Sequence, residues 1–203
     1  MSNIASALLA IIMSMPVAPF LPETDAPVLP VAHEVSREEW HLEEGDRIIV
    51  DTLLNEGFLV HHDGRFLRFP IITGQRRRVY YIGRSYNAAT PNWEWVARSL
   101  DIKGDRVTFG PSGRFLRLFK DGEENTAYGF HEHRDESEMF AGDADERFRS
   151  MGCIIVQSAV MDLIVATWMQ NGEELAVISQ HGIESLQEVM MVFGEEVKEG
   201  KNL

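Results

Sequence analysis

The sequence predicts a mostly-β fold, a sandwich or barrel of short strands with one substantial helix in its C-terminal part. From Asp46 onward, short β-rich runs alternate with turn residues, chiefly glycine and proline. Asp63-Gly64 separates the runs FLVHH and RFLRF, which is a typical hairpin signal. The segment SAVMDLIVATWMQNG (158–172) departs from this pattern, because its apolar residues recur at helical spacing.

The individual elements follow from the same signals. Further strands are expected in the runs RVYYIG, DRVTFG, RFLRLF and TAYGFH, which are separated by glycine and proline turns. The helix should begin with Ser158 as its N-cap and end at Asn171-Gly172, a good C-cap pair. The run LAVIS (175–179) returns to a strand pattern, and residues 182–197 are expected to form a short closing helix.

The N-terminal part of the 203-residue chain differs in composition from the rest. Residues 1–22 are apolar over the length of a signal-peptide core, so we expect an export signal or a membrane tether. Residues 23–45 are proline-rich and acidic, and we expect them to form an extended linker. The folded domain is expected over residues 46–203, outside the cytoplasmic membrane.

The charge balance excludes one class of partner. A formal net charge of −13 at pH 7 argues against nucleic-acid binding, which requires clustered Lys and Arg. The one basic cluster, GQRRRVYY (74–81), is expected to be a solvated strand end or a local anion contact.

The only cysteine, Cys153, follows a glycine at the start of the apolar run CIIV. In this position it is either a small buried residue or a nucleophile. A nucleophilic thiol needs a base and donors for the developing oxyanion. His131 ends the strand-like run TAYGFH 22 positions upstream and is the candidate base. The amides of Gly152 and Cys153 are candidate oxyanion donors, and Ser150 can hydrogen-bond the turn or the base.

The runs YGFH and SMGCI resemble the catalytic motifs of the L,D-transpeptidase (YkuD) family, in which a strand ending in His is followed by a Ser-His-Gly-Cys box. Upstream, FLRFPIITG and Thr90-Pro91 resemble weaker features of the same family. Met151 stands in place of the histidine of the box, Glu132 in place of the glycine after the catalytic histidine, and Ile155 where many members have Arg or Asn. The resemblance extends over residues 46–179 and implies a β-sandwich of mixed sheets with the helix after the cysteine.

The same resemblance implies a cysteine acyltransferase that acts on peptidoglycan stem peptides. Cys153 would attack the amide between the third and fourth stem residues, and His131 would accept the thiol proton. The thioester would then pass to an amine, which makes a 3→3 crosslink, or to water, as in an L,D-carboxypeptidase. The resemblance implies no metal or organic cofactor, and it implies that carbapenems acylate the cysteine.

Four further residues are expected to contact the substrate. They are His133, Arg149, Met151 and Trp93. The polar run of residues 133–149 joins the candidate base to the cysteine and is expected to form a lid over the cleft.

Two other classes of function remain open on the sequence. His131 and His133 share one strand face, so with Cys153 or His181 they could hold zinc in a hydrolase. Alternatively, because Met151 and Ile155 depart from the family pattern, the chain could be a catalytically silent wall-binding module.

Overall fold

The computed structural model describes residues 31–81, 83–120 and 124–191. The expected N-terminal segment 1–22 lies outside these residues, and so do residues 23–30 of the expected linker and residues 192–197 of the expected closing helix. Across the described ranges, no helix is long and apolar enough to cross a membrane.

Short strands dominate the described chain. They are β1 (His33–Glu34), β2 (Arg47–Asp51), β3 (Glu56–Val60), β4 (Arg65–Pro70), β5 (Thr73–Gly74), β6 (Arg78–Tyr81), β7 (Arg84–Asn87), β8 (Glu94–Ile102), β9 (Arg114–Lys120), β10 (Glu124–His131), β11 (Phe148–Ser150), β12 (Ile154–Ile155) and β13 (Leu175–Gln180). The helices are α1 (Glu136–Met139) and α2 (Ser158–Gln170), with a 3₁₀ turn at Ala144–Glu146, and residues 186–191 are also helical.

Nine of these strands form one mixed sheet in the order β1-β4-β3-β2-β13-β8-β9-β10-β12. The pairs β1–β4, β2–β13 and β10–β12 are parallel, and the others are antiparallel. Two small two-stranded sheets, β5–β11 and the β6–β7 hairpin, complete the strand pairing of the described residues. The expectation of a mostly-β fold with mixed sheets and one substantial helix is confirmed.

The large sheet is buried on both faces around β2. Ile48 and Val50 point into the main core, which α2 fills with its apolar side, while Ile49 points into a second core. That second core is covered by residues 183–190, among them the buried Met190. This alternation along one strand explains why all five residues of β2 are buried.

The segment after β4 meets β12 through a reciprocal pair of backbone bonds. Ile72 N–H donates to the Ile155 carbonyl at 2.9 Å, and Ile155 N–H donates to the Ile72 carbonyl at 2.9 Å. Because β4 lies near one end of the strand order and β12 at the other, this contact closes the sheet on itself. The seam of the closed sheet therefore lies two residues from Cys153.

Two local expectations were wrong. The run DRVTFG (105–110) forms turns, because the Asp105 carboxylate accepts the N–H groups of Val107 and Thr108. Ser158 is the first helical residue instead of the N-cap of α2, and its N–H and hydroxyl both donate to Glu136 Oε2 at 2.7 Å. The other end of the helix agrees with expectation, since Asn171 is its C-cap and Gly172 has φ +71°.

The expected linker is corrected over residues 33–45, the part where the structure shows packing. β1 pairs in parallel with β4, and Trp40 belongs to the main core with 6% of its surface exposed. The Trp40 ring stacks on the buried His61 ring with centroids 3.8 Å apart and an interplanar angle of 3°. The proline-rich, acidic composition of residues 23–45 had favoured an extended linker over a packed segment. The folded unit begins by His33 instead of Asp46.

Trp40→Ala should therefore lower the free energy of unfolding by about 3 kcal/mol, because it leaves a cavity over His61 in the main core. Urea unfolding followed by fluorescence or circular dichroism measures this. Val31→Ala, at a position 74% exposed, is the control and should change stability by less than about 0.5 kcal/mol. Equal stabilities for the two variants would restore the linker interpretation.

Candidate active site

Cys153 lies in a tight turn between β11 and β12. The Ser150 hydroxyl donates to the Cys153 carbonyl at 2.6 Å and accepts the Gly152 N–H at 3.0 Å. Ser150 thus lies beside the cysteine in this turn. Its hydroxyl holds the turn and is not directed at a base.

Gly152 is required by the backbone and by its neighbour. Its φ of +119° is one that side chains rarely allow, and a Cβ here would lie 2.6 Å from Tyr128 Cε1. Its carbonyl accepts the buried Thr90 hydroxyl at 2.9 Å, and the same hydroxyl accepts the Gly74 N–H at 2.9 Å. Thr90 therefore ties the cysteine turn to β5.

The oxyanion donors differ from the expected pair. Because the Gly152 N–H is taken by Ser150, that amide is not available to a substrate, and the expectation for it was wrong. Within the described ranges, the Cys153 N–H has no hydrogen-bond acceptor. The turn therefore offers one backbone donor beside the thiol.

The thiol itself is half-buried and protonated at neutral pH. Its Sγ donates weakly to the Ala127 carbonyl at 3.7 Å. Burial raises the pKa of Cys153 to about 11, against the opposing effects of the Gly129 backbone and the Arg117 guanidinium. The structure thus describes a resting thiol, not a thiolate.

His131 ends β10, the strand that pairs with β12 next to the cysteine turn. The register pairs Phe130 with Ile154 and His131 with Ile155, so His131 lies two residue pairs beyond the level of Cys153. The ring is 3% exposed, its Nδ1 lies 2.6 Å from the Glu132 carbonyl, and it packs against Phe109 with centroids 5.0 Å apart. Between the described residues, no hydrogen bond joins His131 to Cys153. The role of His131 as the base stays a prediction.

A buried ion pair holds the loop that covers His131. Glu132, 1% exposed, pairs with Arg114 and accepts the Ser112 hydroxyl at 2.7 Å. Burial lowers the pKa of His131, although the Glu132 and Thr108 backbones oppose this, so the ring is neutral at pH 7. The His131 ring thus packs against the loop that precedes β9.

The four expected substrate contacts occupy different places. The Met151 carbonyl faces the Tyr86 hydroxyl at 3.4 Å, which keeps this residue beside the cysteine. The exposed Arg149 turns back along its own segment, where its Nε donates to the Glu146 carbonyl at 2.9 Å. His133 lies beyond β10, and its Nδ1 accepts the Asp135 N–H at 3.1 Å.

Trp93 reaches the cysteine turn through aromatic neighbours. It packs on Trp95 at 5.0 Å and edge-on to Tyr128 at 6.2 Å between centroids, and Tyr128 in turn contacts Gly152. A cavity of about 330 Å³ adjoins Trp93; it is lined by Asn92, Trp93, Glu94, Ile178, Ser179, Gln180 and His181. An aromatic wall therefore extends from this cavity to the turn.

Sequence reasoning missed the residues that surround the thiol most closely. Tyr86 and Tyr128 line the turn, and Arg117 shares the sheet level of Gly129. A signal for them exists in the chain, since Tyr86 falls in a run rich in tyrosine and arginine and Tyr128 lies three residues before His131. Their convergence on Cys153 depends on the closure of the sheet.

The zinc alternative finds no support in the site. Within the described ranges, no three His, Cys, Asp or Glu side chains are grouped so that they could hold a metal ion. β10 ends at His131, so His133 lies outside the strand and the two histidines do not share the expected strand face.

Comparison with known proteins identifies a class of similar structures. No protein-family model and no curated protein sequence matches the chain. Its fold is similar to solved structures of L,D-transpeptidases, in agreement with the resemblance of the sequence motifs.

Three particular structures illustrate this similarity. An L,D-transpeptidase of Xylanimonas cellulosilytica is 18% identical, with 70% of this chain and 63% of that chain covered and a TM-score of 0.48. A mutant L,D-transpeptidase of Enterococcus faecium is 16% identical, with 68% and 50% covered and a TM-score of 0.42. The helical cell shape determining protein Pgp2 of Campylobacter jejuni is 14% identical, with 77% and 56% covered and a TM-score of 0.43. The chain thus spans half to under two thirds of their length, and the chemistry at Cys153 rests on its own surroundings.

Alkylation of Cys153 should report the state of its thiol. Since only the thiolate reacts and its pKa is about 11, the iodoacetamide rate should rise about tenfold per pH unit from about pH 7 to about pH 10. Intact-mass spectrometry at successive times measures this rate, and the urea-unfolded chain provides the reference thiol. His131→Gln should show the same profile, because no hydrogen bond among the described residues joins His131 to the sulfur. A plateau near neutral pH that is lost in His131→Gln would instead show an assembled ion pair.

Removal of the Thr90 hydroxyl should loosen the turn. Thr90→Val keeps the side-chain shape but leaves the Gly74 N–H and the Gly152 carbonyl unpaired, which should cost about 1–3 kcal/mol of unfolding free energy. Urea unfolding measures the loss, with the exposed Ser85→Ala as the control. If Thr90→Val were as stable as this control, the hydroxyl would not be what ties β5 to the turn.

Proposed function

We propose that the protein is a cysteine acyltransferase that acts on peptidoglycan stem peptides through a thioester on Cys153. The observation that carries this proposal is the cysteine turn, in which Ser150 and Thr90 occupy the other polar groups while the Cys153 thiol and N–H remain available together. A nucleophile beside a fixed backbone donor is the minimum that acyl transfer requires. The substrate class rests on the resemblance of YGFH and SMGCI to the L,D-transpeptidase motifs.

The first half-reaction begins with loss of the thiol proton to solvent base. The thiolate attacks the carbonyl carbon of the amide between the third and fourth stem residues, and the oxyanion accepts the Cys153 N–H. One such donor stabilises the transition state by about 3 kcal/mol. The C–N bond then breaks, the leaving amine takes a proton from solvent, and the terminal residue departs as a free amino acid.

The second half-reaction releases the thioester. An amine of a neighbouring stem attacks it and forms a 3→3 crosslink, or water attacks it and forms a tripeptide, as in an L,D-carboxypeptidase. In both cases the thiolate leaves and regains its proton. The reaction takes place at the cell wall, outside the cytoplasmic membrane.

The raised pKa of the thiol determines how fast this chemistry runs. With a pKa of about 11, only about one thiol in ten thousand is ionised at pH 7. The rate of acyl transfer should therefore be low at neutral pH and should increase with pH in parallel with alkylation. A rearrangement that brought His131 to the sulfur would remove this dependence.

A second candidate is a catalytically silent wall-binding module. The surroundings of His131 favour it, because the ring packs on Phe109, its Nδ1 faces the Glu132 carbonyl, and no hydrogen bond among the described residues joins it to the thiol. Both candidate functions have peptidoglycan as the ligand. Only the acyltransferase breaks an amide bond in it.

Incubation of the protein with a synthetic stem tetrapeptide should release the terminal D-alanine, at a rate that rises between about pH 7 and about pH 10. Chromatography of the free amino acid measures the release, and Cys153→Ala should abolish it. A carbapenem should add stoichiometrically to the wild type and not to Cys153→Ala, as measured by intact mass.

The opposite result is equally informative. If the folded protein releases no D-alanine at any pH, takes up no carbapenem and still sediments with isolated peptidoglycan, it is a binding module and not an acyltransferase. Release that persists in Cys153→Ala would assign the activity to another group.

A further inference from the structure

We propose that the inner face of the β6–β7 hairpin binds a carboxylate of the peptide that reacts at Cys153, and that Arg84 is the residue that pairs with it. The naming of that peptide as a peptidoglycan stem rests on the proposed function. The anion site beside the thiol rests on the hairpin alone.

The hairpin region is positively charged, whereas the chain as a whole is acidic. Residues 75–93 contain four arginines and no Asp or Glu, whereas the whole protein has a formal net charge of −13. A local positive potential next to the thiol would attract an anionic ligand that the rest of the surface repels.

The strand register separates the two faces of the hairpin. Arg78 pairs with Asn87 and Tyr80 with Ser85 on one face, while Val79 pairs with Tyr86 and Tyr81 with Arg84 on the other. Val79 and Tyr86 are half-buried, so the second face is turned toward the domain. Arg84 therefore lies on the inner face and Arg78 on the outer face.

The inner face is directed at the cysteine turn. The Tyr86 hydroxyl lies 3.4 Å from the Met151 carbonyl, and Gln75 Nε2 at the base of the hairpin donates to the Arg149 carbonyl at 3.2 Å. The Arg84 guanidinium lies 5.9 Å from the centre of the Tyr86 ring. Tyr86 thus stands between the guanidinium and the turn that carries Cys153.

Arg84 is available for an anion, whereas the arginines at the base of the hairpin are committed. Arg76 lies 3.6 Å over the Phe148 ring and donates to the Thr52 carbonyl at 2.6 Å, and Arg77 donates to Gln75 Oε1 at 2.7 Å. Arg84 is exposed and has no acidic partner anywhere in the described parts of the chain. A guanidinium binds a carboxylate through two parallel N–H···O bonds, which makes it well suited to the terminal or side-chain carboxylate of a peptide.

The single cysteine provides a probe that does not depend on turnover. Iodoacetate and iodoacetamide alkylate the same thiolate and differ in one negative charge. The ratio of their rates therefore measures the local electrostatic potential and does not depend on the pKa of the thiol. Arg84→Gln should lower the iodoacetate-to-iodoacetamide ratio about threefold, and Arg84→Lys should restore most of it. Raising the ionic strength well above about 0.1 M should lower the ratio of the wild type toward that of Arg84→Gln.

Arg78→Gln is the matched control, because it removes the same charge from the other face of the same hairpin. It should leave the ratio within about 1.5-fold of the wild-type value. Arg78 is exposed on the outer face, so solvent and salt screen the effect of its charge on the thiol. An equal loss in Arg78→Gln and Arg84→Gln would overturn the assignment to the inner face. So would an unchanged ratio in Arg84→Gln, and neither result depends on whether D-alanine is released.

A lipid surface is the other partner that an arginine- and tyrosine-rich hairpin could meet. It would require the outer face, so sedimentation with phosphatidylglycerol vesicles that is lost in Arg78→Gln would overturn the carboxylate assignment. Absence of vesicle binding, together with the specific effect of Arg84→Gln, would support it.

Discussion

The two backbone hydrogen bonds between Ile72 and Ile155 are the contact on which the rest of the site depends. Both residues are buried, so an unpaired N–H or carbonyl there would pay its full desolvation cost. The bonds hold the segment after β4 against β12, and the neighbouring strand β5 then pairs with β11. Since Cys153 lies between β11 and β12, the closure of the sheet determines where the thiol is.

The rigidity of this turn limits its chemistry. Ser150 and Thr90 satisfy most of its polar groups, and the remaining amide and thiol are well positioned but unassisted. The histidine predicted to assist them packs against the loop before β9, which the pair Glu132–Arg114 holds in place. The thiol and the histidine thus lie on two parts of the fold that different side chains hold in place.

Features that depend on local chemistry could be predicted from the sequence, and features that depend on distant contacts could not. The hairpin at Asp63-Gly64 and the helix end at Asn171-Gly172 are encoded within a few residues. Trp40 was assigned to a linker because its partner, His61, lies 21 positions away in sequence. The position of His131 at the end of its strand was predictable. Its ring packs on Phe109, in a loop for which the run DRVTFG had predicted a strand.

Both ends of α2 are completed by other parts of the chain. Glu136, 22 positions upstream, binds the N–H and hydroxyl of Ser158, and the Asn171 side chain binds the Gly45 N–H at 2.8 Å and the Asp46 carbonyl at 2.7 Å. The segment 133–149 is therefore anchored to the helix and is not a freely hinged lid. In folding terms, each of these contacts closes a long loop, so the ends of the helix become stable only after the chain on both sides has collapsed. The helix α2 at the centre of the core is therefore completed late in folding, by contacts with the surface segments around Glu136 and Gly45.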